Sequence, residues 1–374
     1  MSTATEQPDV APVRLLIVDD APLMRKAIQQ IMVKHEEIEV VGTAANGQEC
    51  LEKIRDLKPD VITLDIDMPV MNGITAIKHI MVRHQIPIVT VSSLVQDGYF
   101  VFEALRLGVV DFVPKPSRVA ADNWEGEEEI LRRRVRIASG VRINRMRRVR
   151  RRKKSGAYSA PHDTSPFGVI VMGTTLGGPN SIMHIVTKLS SDFPGAVVAI
   201  QEIHPRILAP FCSSFNTISP LEVIPITEAR QILPGKVYLG STFSGINLDR
   251  GSNGSSVLTV APADSTDFPI DRLFEAAAEH LKDMSCGVLL TGIGTDGTAG
   301  MRAIKDQGGL TIGQDQNCSI YPNLVEHAIQ EQVVDVVMSN QGISDRLEAW
   351  IRAGHLNSLE IVDTGLQEPA PANA

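Results

Sequence analysis

The fold of this chain is decided by the stretch Val61-Ile62-Thr63-Leu64-Asp65-Ile66-Asp67-Met68-Pro69. Its first four residues are apolar or β-branched and predict a short buried strand, and Asp65 stands where that strand ends. Pro69 and the pair Asn72-Gly73 then predict a turn that leads the chain away. Ligand sites of α/β sheets lie at the carboxyl ends of strands, so Asp65 is a candidate for chemistry.

Strands and helices alternate on both sides of this stretch. Apolar runs predict strands at residues 14–20, 40–44, 61–65, 88–92 and 111–113, and helical periodicity predicts helices at residues 22–33, 47–57, 74–84 and 98–107. Strands that alternate with helices of this length form βαβ units around a parallel sheet. The first third of the chain is therefore predicted to be an α/β domain of (βα)5 type.

Length and composition set the broad class. The chain has 374 residues, enough for two domains, and its 43% hydrophobic residues are normal for a globular protein. The net charge of −8 is modest and indicates solubility rather than a particular partner. The cysteines are scattered without a C-x-x-C pair, which argues against a disulfide framework or a zinc site. Because no apolar run approaches ~20 residues and residues 1–12 lack a signal-peptide core, we expect a cytoplasmic protein without membrane insertion.

Polar side chains follow several of the predicted strands. Asp19 and Asp20 end the first strand, and Asp65 ends the third. Crowded carboxylates repel one another and favour a hard divalent cation, and Mg²⁺ suits a site with few protein ligands. Such an ion would orient a phosphoryl donor while one carboxylate attacks as the nucleophile. Ser92 can donate a hydroxyl to the phosphoryl oxygens, and Lys115 can supply a mobile cation for them.

These positions resemble a known family. Asp19 and Asp20, the run LDIDMPVMNG around Asp65, Ser92 and Lys115 are similar to the receiver domain of two-component response regulators. The resemblance implies that Asp65 is the phosphoacceptor. It also implies that Asp19 and Asp20 bind Mg²⁺ together with Asp65, and that Ser92 and Lys115 form the switch pair.

Composition changes sharply after the receiver-like segment. Acidic residues between positions 122 and 129 precede the densely basic run Arg132–Lys154, in which apolar residues are interleaved. Acids at the start and bases at the end suit a helix dipole. We favour a solvated linker helix with one apolar stripe over a nucleic-acid-binding patch, because neither an aromatic platform nor a helix-turn-helix follows.

The second half of the chain repeats the α/β pattern. Strands are predicted at residues 167–172, 196–201, 237–239, 287–291, 309–312 and 333–337. The first of them runs into the turn Gly173-Thr174-Thr175-Leu176-Gly177-Gly178-Pro179, and the fourth runs into a second glycine-rich loop that carries Asp296. A hydroxyl on such a turn faces free backbone N–H groups at a helix start. Those groups can stabilise an oxyanion or cradle a phosphate.

The order of these motifs resembles the chemotaxis protein-glutamate methylesterase (CheB) family. The Gly-Gly-Pro turn, the run LTGIGTDG around Asp296, the receiver ending Asp111–Pro116 and the run Pro234–Tyr238 all point to it. The resemblance covers residues 13–350. It implies an effector that removes methyl esters from glutamates of methyl-accepting chemoreceptors, and can deamidate glutamines, by a Ser-His-Asp triad. It also implies that the effector is inhibited until the receiver is phosphorylated, with a histidine kinase of a chemotaxis system as partner.

The catalytic positions depart from the family pattern. Thr175 stands where the family has the nucleophilic serine, and a gap-free alignment places Glu202 where it has the histidine, whereas Asp296 fits unchanged. Threonine keeps a hydroxyl, but its methyl group stiffens χ1 and crowds attack. Glu202 facing Asp296 would raise the pKa of one of the two carboxyl groups. His204 is the other candidate base.

We therefore predict two domains and two rival functions. The predicted segments are a leader (1–12), a receiver (13–118), a charged linker (119–165), a methylesterase-type effector with a doubly wound parallel sheet (166–355) and a tail (356–374). The first function is a phosphorylation-regulated esterase with Thr175 as nucleophile, Asp296 as orienting group and Glu202 or His204 as base. The rival is a catalytically impaired relative that binds receptors or acts as a phosphate sink.

Overall fold

The computed structural model describes residues 11–34, 36–92, 98–115, 127–141, 143, 149, 168–251, 254–261 and 267–354. The first ten residues of the predicted leader, the predicted tail and most of the basic run after Val141 lie outside the described residues. Within the described part of the chain, no helix is long and apolar enough to cross a membrane.

The first domain alternates strands with helices, as predicted. Its strands are β1 (Val13–Val18), β2 (Ile38–Ala44), β3 (Val61–Leu64), β4 (Ile88–Ser92) and β5 (Asp111–Pro114). Its helices are α1 (Pro22–Val33), α2 (Gly47–Leu57), α3 (Gly73–Arg83), α4 (Gly98–Leu107) and α5 (Glu127–Ser139). The strands form one parallel sheet in the order β2-β1-β3-β4-β5. This order brings the carboxyl ends of β1, β3, β4 and β5 to one edge.

The fifth helix lies in the segment predicted to be a linker. Leu131, Val135 and Ala138 recur at helical spacing and are buried, which is the predicted apolar stripe. The helix contacts β1, β3, β4 and β5 of the first sheet. The helix therefore packs on the first domain, and the predicted boundary at residue 118 stays a prediction.

The second domain is built on a larger parallel sheet. Its elements are β6 (Val169–Thr174), α6 (Gly178–Val186), β7 (Ala196–Gln201), α7 (Pro205–Phe215), β8 (Glu222–Pro225), β9 (Arg230–Gln231), β10 (Lys236–Ser241), β11 (Gly245–Arg250), β12 (Ser256–Ala261), α8 (Pro269–Leu281), β13 (Ser285–Leu289), α9 (Thr298–Asp306), β14 (Leu310–Gln314), α10 (Asn323–Gln330), β15 (Val336–Met338) and α11 (Asn340–Arg352). Seven strands pair in parallel in the order β15-β14-β13-β6-β7-β10-β8. The antiparallel sheet β11-β12-β9 was not predicted.

An apolar contact joins the two domains. Helix α4 of the first domain packs on α6 and α7 of the second. The ring of Phe102 lies edge-on to that of Phe211, and their centroids are 5.7 Å apart. The centroid of the Phe102 ring is 6.3 Å from that of the Phe215 ring. Asn180 Nδ2 donates to the carbonyl oxygen of Leu105 at 3.3 Å. One continuous hydrophobic core therefore includes residues of both domains.

A strained turn follows β3. The N–H of Met71 donates to the carbonyl oxygen of Pro69 at 2.7 Å, with Val70 between them at φ 66°. This is the rarer hand of γ-turn, and a β-branched residue at positive φ is a genuine outlier. Val70 is 86% exposed, so no burial of its side chain offsets the backbone strain.

Replacing Val70 with glycine should therefore stabilise the protein. Positive φ costs an L-residue roughly 1–2 kcal/mol, and the extra chain entropy of glycine offsets part of that gain. We expect Val70→Gly to raise the free energy of unfolding in urea by about 1 kcal/mol or less. The control Val82→Gly, at an exposed position in helix α3, should lower it by roughly 0.5 kcal/mol. Equal losses in both variants would contradict the strain argument.

Candidate functional site

The first candidate site lies at the carboxyl edge of the receiver sheet. Val18 and Leu64 are register partners, and the N–H of Asp65 donates to the carbonyl oxygen of Val18 at 2.9 Å. Because of this pairing, Asp19 and Asp65 follow the ends of their strands side by side at the edge of the sheet. Carboxylate oxygens of Asp19, Asp20 and Asp65 all lie within 4.8 Å of one another, so the structure brings the predicted acidic cluster together.

Lys115 binds two of these carboxylates. Its Nζ lies 2.7 Å from Asp19 Oδ2 and 2.7 Å from Asp65 Oδ2. The N–H of Lys115 donates to the carbonyl oxygen of Ser92 at 3.0 Å, which holds the predicted switch pair side by side at the ends of β4 and β5. Burial opposes the charge of Lys115, but the hydrogen bonds and charges of the two aspartates outweigh it and raise its pKa.

The acidic cluster is suited to a hard cation. Asp19 Oδ2 is buried beside the ammonium group of Lys115, and Asp19 Oδ1 accepts from the N–H of Ala21 at 2.9 Å. Burial raises the pKa of Asp19. Asp65 Oδ1 accepts from the N–H of Ile66 at 2.7 Å, and Asp20 is exposed. Three carboxylates within 4.8 Å of one another, two of them buried and one exposed, fit an oxygen-liganded divalent ion.

The second candidate site lies where the two glycine-rich loops of the effector meet. Thr175 Oγ1 accepts from the N–H of Ile293 at 2.8 Å and donates to the carbonyl oxygen of Ile293 at 3.3 Å. A Cβ on Gly292 would lie only 2.3 Å from Thr175 Oγ1, so this contact needs glycine there. Gly177 precedes α6 at φ 75°, a conformation that also favours glycine. The structure thus joins the Thr175 turn to the loop that carries Asp296.

Glu202 is held by the linker helix. Thr174 and Gln201 are register partners, so Glu202 and Thr175 both follow directly on the paired ends of β7 and β6. Glu202 Oε1 accepts from Arg134 Nη2 at 2.9 Å. Burial raises the pKa of Glu202, and the charge of Arg134 opposes that rise. The carboxylate that the gap-free alignment predicts at the family's histidine position is therefore an ion-pair partner in this structure.

Asp296 and His204 each cap a helix. The carboxylate of Asp296 accepts from the N–H groups of Ile270 at 3.0 Å and Asp271 at 2.9 Å, at the start of α8. Burial raises the pKa of Asp296 to about 6, and those N–H groups limit the rise. His204 is the N-cap of α7, and its Nδ1 accepts from the N–H of Arg206 at 3.2 Å. Both side chains thus satisfy N–H groups that a helix start leaves without internal partners.

A small cavity separates α5 from the effector edge. Its volume is about 130 Å³, and its lining includes Arg133 and Arg134 of α5 together with Leu176, Glu202 and Phe243 of the effector. The linker helix therefore covers the side of the effector edge on which Glu202 lies.

Comparison with known proteins agrees with this architecture. A family model for the response regulator receiver domain matches residues 15–121, and one for the CheB methylesterase matches residues 170–347. A curated protein of Carboxydothermus hydrogenoformans, "Protein-glutamate methylesterase/protein-glutamine glutaminase 2", is 34% identical over 356 residues, covering 92% of this chain and 100% of that one. The chain belongs to the CheB methylesterase family. The family and the two-domain α/β class expected from the motifs are thus confirmed.

Other relatives are similar over most of their length. A "Protein-glutamate methylesterase/protein-glutamine glutaminase" of Archaeoglobus fulgidus is 34% identical over 328 residues, covering 85% of this chain and 92% of that one. Among solved structures, the CheB methylesterase catalytic domain of Thermotoga maritima is 27% identical, with a TM-score of 0.47, covering 50% of this chain and 99% of that chain. The response regulator domain of Thermotoga maritima CheB is 40% identical, with a TM-score of 0.33, and the match covers 35% of this chain and 98% of that chain.

Sequence reasoning missed the partner of Glu202. Arg134 lies in the basic run that we assigned to a solvated linker, yet its side chain is buried. The acids-then-bases pattern predicted a helix there but could not show which arginine faces the effector. Its spacing, three residues after Leu131 and four before Ala138, places Arg134 on the apolar face of the helix and is the signal that could have found it.

The receiver site predicts a specific chemical label. Incubation with ³²P-labelled acetyl phosphate and Mg²⁺ should label the wild-type protein with acid-stable, base-labile phosphate, and Asp65→Asn should abolish the label, because an amide cannot serve as the nucleophile. Omission of Mg²⁺, with EDTA present, should also prevent labelling. Asp67→Asn, two residues along on the same turn, is the matched control and should be labelled normally. Stoichiometric labelling of Asp65→Asn would place the phosphoacceptor elsewhere.

Proposed function

We propose that this protein is a phosphorylation-regulated protein-glutamate methylesterase and glutaminase that acts on methylated chemoreceptors in the cytoplasm. The observation that carries the proposal is the meeting of the two glycine-rich loops at Thr175, in a chain that matches relatives of that name along nearly its whole length. Thr175 lies in the turn before helix α6, and the register of β6 with β7 sets it beside Glu202. Hydroxyls on strand-to-helix turns of this kind suit acyl transfer.

In the receiver, Asp65 is the proposed phosphoacceptor. One of its carboxylate oxygens forms a bond to phosphorus while the bond between phosphorus and the donor breaks, and the donor leaves with that electron pair. A histidine kinase of the chemotaxis system is the proposed donor. Lys115 balances the charge added at Asp65. Asp19, Asp20 and Asp65 would hold Mg²⁺, which supplies charge neutralisation and orientation of the phosphoryl donor when bound.

In the effector, Thr175 is the proposed nucleophile. Its oxygen attacks the ester carbonyl, its proton passes to a base, and methanol leaves as the acyl bond to Thr175 forms. Water then hydrolyses this ester and restores the hydroxyl, leaving a receptor glutamate. Backbone N–H groups at the start of α6 can stabilise the oxyanion.

The base is either Glu202 or His204. For Glu202 to accept a proton, Arg134 has to leave it, because the ion pair stabilises the charged carboxylate. For His204 to accept a proton, its Nδ1 has to give up the hydrogen bond that it accepts from the N–H of Arg206. Asp296 orients the site by fixing the second glycine-rich loop to α8.

A second candidate function has a specific observation in its favour. The hydroxyl of Thr175 is engaged with Ile293, Glu202 with Arg134, and Asp296 with the start of α8. A protein in this state would bind receptors in a phosphorylation-dependent way, or act as a phosphate sink, without cleaving esters. The two candidates share the receiver chemistry and differ only in turnover at the effector.

Methanol release from methylated receptor membranes separates the candidates. For the esterase we expect release by purified protein that rises with acetyl phosphate and falls by about two orders of magnitude or more in Thr175→Ala, because the nucleophile is lost. Thr217→Ala, which removes an exposed hydroxyl at the end of α7, is the matched control and should keep the wild-type rate. Absence of release from protein that is labelled normally at Asp65 would contradict the esterase and leave the binding function.

A further inference from the structure

One guanidinium group contacts carboxylates from both domains. Arg134 of α5 pairs through Nη1 with Asp111 Oδ2 of the receiver strand β5, and through Nη2 with Glu202 Oε1 of the effector at 2.9 Å. The three side chains are 7%, 12% and 19% exposed, so the bridge is shielded from water. Charges that are buried in this way interact more strongly than pairs on the surface.

We propose that Arg134 is a positioning residue that couples receiver strand β5 to the effector edge, with Glu202 as its anchor on the effector. The position that holds histidine in the family pattern would then serve, in this chain, as the fastening point for the linker helix. The proposal concerns the contact between the domains and holds whether or not the effector cleaves esters.

The receiver end of the bridge is fixed in the sheet. Asp111 Oδ1 accepts from the N–H of Phe112 at 2.7 Å, and Thr90 Oγ1 donates to the carbonyl oxygen of Asp111 at 3.1 Å. Arg134 is fixed in turn, because its neighbours Leu131 and Val135 are buried against the same sheet. A change in β5 is therefore transmitted to Arg134 rather than absorbed by a mobile side chain.

The other end of β5 reaches the phosphorylation site. Asp111 begins this strand, and Lys115, which follows its last residue, contacts Asp19 and Asp65. A strand of this length spans roughly 13 Å, so one rigid element connects the proposed phosphoacceptor with the Arg134 bridge. Phosphorylation adds charge beside Lys115 and so changes the contacts that hold this end of β5.

The bridge has more negative than positive charge, so removing the charge of Glu202 and removing that of Arg134 have different effects. Two carboxylates share one guanidinium, so removing the charge of Glu202 leaves Arg134 paired with Asp111. Removing Arg134 instead leaves two buried carboxylates without their cation, which is strongly destabilising. Glu202→Gln should therefore release the effector from α5 while the receiver sheet stays intact.

Hydrogen–deuterium exchange of the full-length protein tests this directly. In Glu202→Gln, we expect amides of the effector segment from Gln201 to Ile207 to exchange roughly tenfold faster than in the wild type, because the isosteric amide removes the charged contact that holds this segment to α5. Amides of β1 and β3 should keep their wild-type rates. Glu228→Gln, which removes an exposed ion pair with Arg230 within the effector, is the matched control and should change neither region.

The same experiment with acetyl phosphate and Mg²⁺ tests the coupling. In the wild type, phosphorylation should change exchange in the segment from Gln201 to Ile207, and in Glu202→Gln that response should be lost while Asp65 is still labelled. Wild-type exchange in Glu202→Gln, or an unchanged response to acetyl phosphate in that variant, would overturn the proposal. Because neither readout uses methanol release, failure of this proposal is distinguishable from failure of the esterase.

Discussion

The buried guanidinium of Arg134 constrains how the two domains can be arranged. A buried charge is tolerated only when it is paired and hydrogen-bonded, and this one takes its partners from β5 and from the end of β7. Helix α5 must therefore lie against both domains at once. The aromatic contact of Phe102 with Phe211 joins α4 to α7, so the ion pairs and the hydrophobic contact both hold the two domains together.

Both candidate sites obey one geometric rule. Parallel strands end at a common edge, and register decides which side chains emerge together. Pairing of Val18 with Leu64 sets the aspartates of the receiver side by side, and pairing of Thr174 with Gln201 does the same for Thr175 and Glu202. The chain therefore has two candidate sites at sheet edges, and Arg134 connects an element of one with a residue of the other.

Local pattern was sufficient for most of the fold. Helix α1 was predicted from Pro22 to Val33 and strand β7 from Ala196 to Gln201, and both have those bounds in the structure because periodicity and turn residues specify them locally. The hairpin of β11 and β12 was missed, although alternation in the run from Ile246 to Asp249 and the glycines after it were available signals. No local pattern could pair Arg134 with Glu202, because that contact joins residues 68 positions apart.

The central claim is that Arg134 and Glu202 stabilise one another across the domain interface. A double-mutant cycle of Arg134→Gln, Glu202→Gln and the double variant, followed by urea unfolding of the full-length protein, measures this most directly. The account predicts a coupling free energy of roughly 1 kcal/mol or more, within the range found for residues in one ion-pair network. Additive effects, within about 0.3 kcal/mol, would show that the two side chains do not stabilise one another and would contradict the account.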